Sequence, residues 1–202
     1  MASTYSDLKI ELIGTGEQAG TWGSTTNTNL GTALQEAITG SADVAFSSAD
    51  VTLTLTNSNG VQVGRNLRLN LTGTSSGALN LILGAEMQVE KLYLINNTLA
   101  DAVTVKNTTG TGIAVPAGKT MFVFNNGTNV VDAITYLTSL ETASLVATTA
   151  DINGGSIDGA TLGTNSAITE ADIDNINING NTICTTDTDG SLTLQPHRYR
   201  LA

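Results

Sequence analysis

The sequence predicts a mainly β protein: an N-terminal arm with one short helix, an antiparallel β-sandwich of jelly-roll-like form, and a short β-stem built on a five-residue repeat. Three observations carry this. Between residues 41 and 135, short alternating apolar segments follow one another with no helical interruption, at the roughly 8–12-residue spacing of sandwiches and barrels. Aromatic residues make up 4% of the chain and charged residues 13%; Thr, Asn and Gly fill the gap, and these suit pleated surfaces and tight corners. Finally, residues 149–185 place a large aliphatic side chain every five or six positions.

Residues 1–40 form the arm. "ELIGTGEQAGTWGSTTNTNLG" carries Gly14, Gly16 and Gly20, with Glu36 about twenty residues after the first of them, which raises the possibility of a phosphate-cradling loop. The spacing is G-x-G-x-x-x-G, and the strands that follow do not alternate with helices as a dinucleotide fold requires. These glycines therefore read as turn-formers. From Asn27 to Ile38, Leu30, Ala33, Leu34, Ala37 and Ile38 recur at helical spacing, with Thr26 or Asn27 as N-cap and Gly40 as C-cap. A helix this short is not stable alone and must pack on something. Trp22 either caps the core of its own chain or docks on a partner.

Residues 41–135 form the sandwich. "VTLTLT" puts Val51, Leu53 and Leu55 on one face; "NLRLNL" and "ALNLILG" repeat the pattern with Leu67, Leu69, Leu71 and with Leu79, Leu81, Leu83. "MQVEKLYLIN", "DAVTVKN", "TMFVFNN" and "NVVDAIT" continue it, separated by "NSNG", "TGTSSG", "NTTGTG" and "NNG" turns. Tyr93, Phe46, Phe122 and Phe124 fall mostly at core-like strand positions.

Residues 136–148 read as a neck, with Leu137, Leu140, Leu145 and Val146 as its apolar residues. In the stem, residues 149–185, Ile152, Ile157, Leu162, Ile168, Ile173, Ile178 and Ile183 stand at intervals of 5, 5, 6, 5, 5 and 5, a solenoid-type signal. A coil of roughly twenty residues per turn completes under two turns here, too few to bury its own row of aliphatics. Three chains around one axis would bury it, which favours a parallel homotrimer. Residues 186–202 form a C-terminal tail.

The charge of −10, from eight Lys and Arg against eighteen Asp and Glu, offers no basic footprint for nucleic acid. One cysteine, Cys184, and one histidine, His197, supply neither a disulfide nor a zinc site, and they lie too far apart in sequence to suggest a nucleophile with its base. The carboxylate pairs Asp172/Asp174 and Asp187/Asp189 read as turn residues; "DTDG" lacks the remaining ligands of a calcium loop. No enzyme, cofactor or metal is expected. The N-terminus has no charged n-region or apolar h-region, and no stretch is long enough to span a bilayer; synthesis in a cytoplasm without membrane insertion is the expectation.

"YSDLKIELIGTGEQAGTWGSTTNTNLGTALQEAITG" resembles the N-terminal, tail-attaching module of tail-fibre and related virion structural proteins of tailed bacteriophages, especially phages of marine bacteria. The family pattern T-G-E-x-x-x-T-W-G falls on Thr15, Gly16, Glu17, Thr21, Trp22 and Gly23, and T-N-x-N-L-G on Asn27, Asn29, Leu30 and their neighbours. "VEKLYLINNT", "VTVKNTTGTGIAVPAGKTMFVFNNGTNVVDAI" and "ADINGGSIDGATLG" are also similar to that family. The resemblance implies a non-enzymatic, trimeric virion component in the tail. Its docking residues on a tail adaptor, nozzle or other tail protein would be Thr15, Gly16, Glu17, Trp22, Gly23, Asn27, Asn29 and Leu30. Family fibres commonly run longer, so this chain reads as a short fibre or as a base carrying another fibre protein at its C-terminal end. Two rival readings are a glycan-binding, host-recognising module and a trimeric capsid decoration protein.

Overall fold

The structure, a computed structural model, describes residues 2–147. The chain divides into two compact units, Met1–Thr142 and Ala143–Ala202, and every element below belongs to the first. The stem residues Ile152, Ile157, Leu162, Ile168, Ile173, Ile178 and Ile183, and the tail, lie outside the described residues.

The unit opens with a small hairpin, β1 (Thr4–Tyr5) and β2 (Glu11–Leu12). Gly16 and Gly20 then take positive φ values of 83° and 85°, turns that cost glycine no Cβ clash. The helix begins at Trp22, earlier than the periodicity suggests. It runs as α1 (Trp22–Thr28), a π-helical segment Asn29–Leu34, and α2 (Gln35–Thr39). Gly40 ends it in an extended conformation rather than a left-handed cap. Glycine is needed there by proximity, because a Cβ would run into the Asn66 side chain and the Glu36 backbone.

Nine further strands form two sheets packed face to face. β3 (Ser41–Ser47), β5 (Arg68–Thr74), β7 (Glu90–Asn97), β10 (Thr120–Asn126) and β11 (Val130–Asp132) make a five-stranded sheet in the order β11-β10-β7-β5-β3. β4 (Val51–Leu53), β6 (Leu79–Leu83), β8 (Val103–Asn107) and β9 (Ile113–Val115) make a four-stranded one in the order β4-β6-β8-β9. The core between them contains Val44, Phe46, Leu69, Leu71, Tyr93, Ile95 and Val123 from the first sheet, and Leu81, Leu83, Val103, Val105 and Val115 from the second. The strict alternation read from the sequence is realised: one residue in two points inward.

The expected antiparallel, jelly-roll-like arrangement is corrected. β3, β5 and β7 pair in parallel, as do β4, β6 and β8. From β3 to β8 each connection is an arch from one sheet to the other, so the chain winds as a two-sided coil and the opposite-sheet strand serves as the crossover that parallel neighbours require. Only the last part reverses: β8–β9, β7–β10 and β10–β11 are antiparallel. The Gly and Asn turn signals are common to hairpins and arches and do not separate them. The repeat length does, because Ser41, Arg68 and Leu94 are lateral neighbours at intervals of 27 and 26 residues.

Buried amides fix the arches. Asn97 donates from Nδ2 to the carbonyls of Asp101 and Val115, 3.0 Å each, and its Oδ1 accepts from Leu99 N–H. Asn107 and Asn125 exchange a reciprocal pair of amide bonds across the core, both at 3.0 Å, and Asn125 also donates to Met87 O. Such groups are tolerated inside because their hydrogen-bonding capacity is met.

Candidate functional site

The arm and helix hold the exposed apolar residues singled out by the sequence, and a buried charge sets their orientation. Glu36 on α2 is 9% exposed and Arg65, on the turn Val63–Arg65, is fully buried. The Arg65 Nε lies 3.5 Å from Glu36 Oε2, and its Nη2 donates to the carbonyls of Ser58 at 2.8 Å and Gly60 at 3.1 Å. Burial pulls the guanidinium pKa down and the Glu36 carboxylate pulls it back up. Glu36 also accepts from Gln62 N–H at 3.1 Å, while its own carbonyl accepts from Leu67 N–H and Gly40 N–H, both at 3.0 Å. The helix can satisfy these groups in one rotation only.

A second polar set ties the arm to the helix. Asn29 Nδ2 donates to Glu11 O at 2.8 Å, Gln18 Nε2 donates to Glu11 Oε1, and the Thr25 hydroxyl donates to Gln18 Oε1. Lys9 and Glu86 form an exposed ion pair at 2.8 Å that holds the Glu86 carboxyl below its ordinary pKa.

With Ala33 and Glu36 facing inward, the apolar stripe faces out. Leu30 is 56%, Leu34 38%, Ile38 59% and Trp22 62% exposed, and Val61, on a separate loop, is 82% exposed. Of the periodic residues Leu30, Ala33, Leu34, Ala37 and Ile38, Ala33 is buried and Ala37 half-buried, while the three large residues point to solvent. The alternative that Trp22 caps its own core is overturned. Beside the stripe lies an open cleft of about 270 Å³, lined by Gly31, Thr32, Gln35, Glu36, Val61 and Asn66 among others.

The eight docking residues expected from the sequence separate into two sets. Trp22, Asn27 and Leu30 are exposed on the helix, and Thr15, Gly16 and Glu17 are exposed on the turn that follows β2. Gly23 and Asn29 are half-buried, and Asn29 holds the arm. Sequence reasoning missed Leu34, Ile38 and Val61 as surface residues. The available signal was Glu36, whose spacing from Ala33 puts it on the small-residue side of the helix.

Among the described residues no group of three or more His, Cys, Asp or Glu side chains could hold a metal ion, and no helix is long and apolar enough to cross a membrane. The one strongly shifted amine, Lys91, is buried over the Tyr93 ring at 4.1 Å and its pKa is pushed down to about 8 by burial. It faces the core, bonding the carbonyls of Asn66 and Leu92 at 3.4 and 3.2 Å. Comparison with protein-family models, with curated proteins and with solved structures finds no match to this chain.

Proposed function

We propose that the chain is a structural component of a bacteriophage virion, a short tail fibre or fibre-base protein that attaches to the tail through its N-terminal part and acts as a homotrimer. The resemblance of the N-terminal motif supports the class of protein. The observation that carries the docking role is the outward apolar stripe of Leu30, Leu34 and Ile38 with Trp22, on a helix whose rotation is fixed by Glu36 and Arg65. A contiguous exposed apolar surface of this kind marks an interaction site, and a fixed helix presents it at low ordering cost. Three such stripes on one trimer would attach by avidity.

Deleting residues 1–40 is a poor test, because it strips the buried Arg65 of its partner. The informative variant is full-length Leu30→Glu with Leu34→Glu, produced in cells infected with phage lacking the gene. The expected outcome is a protein with the parental melting temperature and oligomeric mass that is missing from purified particles. Incorporation at the parental level overturns the docking role, and immunolabelling on the head instead of the tail favours the capsid decoration reading.

A further inference from the structure

A second apolar surface lies on the outer face of the five-stranded sheet. Lys91, Tyr93 and Ile95 point into the core, so Leu92 and Leu94 point out; Val123 is buried, so Phe122 and Phe124 point out. The register sets Leu94 opposite Phe122, Leu92 opposite Phe124, and Phe124 opposite Val131. These five side chains form one patch, in which Leu92 is 41% and Phe122 44% exposed. Phe122 and Phe124, expected at core-like positions, are thus on the surface.

Beside the patch the same face carries a polar ladder. Thr120 Oγ1 donates to Asn96 Oδ1 at 2.8 Å, Asn96 Nδ2 to Asn70 Oδ1 at 3.2 Å, and Asn70 Nδ2 to Asp43 Oδ1 at 3.0 Å. This ladder crosses β10, β7, β5 and β3. The five side chains of the patch present no hydrogen-bonding group, which suits an apolar occupant.

A matching apolar segment follows in the same chain. Two residues after β11 comes "ITYLTSL", in which Ile134 is 58%, Tyr136 80%, Leu137 58% and Leu140 63% exposed. It takes no part in either sheet and carries no charge between Asp132 and Glu141. Patch and segment are contiguous through β11, so neighbouring copies placed side by side at that edge bring the segment of one to the patch of the next. The five patch residues and the segment are themselves uncharged, and the charges that border the patch are of opposite sign: Arg68, exposed, lies beside Leu94, and Glu90, exposed, stands two residues before Leu92. A head-to-tail contact of this kind closes into a ring when the rotation permits.

We propose that the outer face of β7, β10 and β11 seats the 134–140 segment of a second copy of this chain. The contact gives the self-association proposed above a defined surface and rests on that part of the reading, but it does not depend on the helix stripe or on tail attachment.

The test uses the full chain with Cys184→Ser, carrying Phe122→Cys and Leu137→Cys together or singly. Oxidation of the double variant is expected to link different chains, with the 122–137 disulfide identified by peptide mass spectrometry, while each single variant links far less. In a chain otherwise wild type, Phe122→Asp is expected to weaken self-association by about thirtyfold or more, the size of effect for a central aromatic anchor, in light scattering across a dilution series. Its melting temperature as a dilute monomer should stay parental, since the side chain is on the surface. A disulfide formed within one chain, a parent that is monomeric throughout the series, or an oligomer unmoved by Phe122→Asp each overturns the proposal. Glycan-array binding that Phe122→Asp abolishes without changing the mass also overturns it, in favour of a sugar on the patch. Failure of the Leu30/Leu34 variant to affect incorporation leaves this outcome untouched, so the two readings fail separately.

Discussion

Replacing Glu36 with Gln removes one charge and almost no volume, and so isolates the pair that orients the helix. Arg65 has no exposed surface and its Nε and Nη1 have no hydrogen-bond acceptor; its charge is met by Glu36 Oε2 at 3.5 Å and by the carbonyls of Ser58 and Gly60. Removing one partner of a buried ion pair costs about 3–5 kcal/mol. Two carbonyls remain on the guanidinium and a Gln amide oxygen can still accept from Gln62 N–H, so the low end, about 3 kcal/mol, is expected. For a chain of this size that is a fall in melting temperature of roughly 6–12 °C. Thermal unfolding followed by circular dichroism measures it, with Arg65→Met and the double variant completing a cycle. The double variant should lie close to Arg65→Met alone, giving a coupling of at least about 1 kcal/mol. A Glu36→Gln protein melting within a degree or so of the parent, or strictly additive losses, would refute the claim that this pair orients the helix.

The strained glycines give a differential test. Gly73 and Gly77 have φ values of 98° and 124°, but only at Gly73 would a Cβ meet backbone, the Phe46 carbonyl on β3. Gly77→Ala should cost roughly 1 kcal/mol for the backbone alone, and Gly73→Ala at least about 2 kcal/mol more because two strands must separate. Asn125→Ala leaves the Asn107 amide and Met87 O unmatched in the core and should cost about 2–4 kcal/mol in urea unfolding. Lys91 has a pKa of about 8 when folded against 10.5 ordinarily. Between those values the unfolded chain holds a proton that the folded chain has released, so stability rises with pH across that window, by up to about 3 kcal/mol. The parent should therefore gain stability relative to Lys91→Met between neutral pH and pH ~9.5; a constant difference would contradict the buried-amine account.

The inward face of most strands was legible because alternation is a local property. Leu69 and Leu71, Leu81 and Leu83, and Val103 and Val105 are buried as their spacing suggests. Strand pairing was not legible, since a hairpin and an arch both ask for Gly, Asn and Ser between apolar segments, and only neighbours some 26 residues apart distinguish them. Phe122 and Phe124 illustrate a related limit. Alternation separates the two faces of "TMFVFNN" and does not say which is inside; here Val123 and Asn125 point inward and the aromatics outward. The buried Arg65, Lys91, Asn107 and Asn125 run against composition rules, and their burial depends on carbonyls and amides contributed by segments distant in sequence. At the helix, apolar periodicity marked one face without saying whether it turns inward, for the same reason: Glu36 finds its partner 29 residues away.

The helix inverts the usual polarity of packing, and that inversion bears on its role. Turning Leu30, Leu34 and Ile38 inward would gain roughly 3–5 kcal/mol from burial, whereas a buried ion pair is commonly no more stabilising than apolar residues of the same volume. A sequence under selection for stability alone could have taken the apolar solution with an Ala or Leu at position 36. The charged pair instead holds the stripe outward in the free chain, which under the proposed docking role would leave little ordering cost for binding. A sharp consequence separates a docking surface from poor packing. Polar substitutions at Leu30 and Leu34 should leave unfolding within about 0.5 kcal/mol of the parent, as for surface sites generally, while abolishing attachment. If those variants instead lose several kcal/mol, the stripe contributes to the fold of its own chain, and the outward face would need another explanation than a waiting partner.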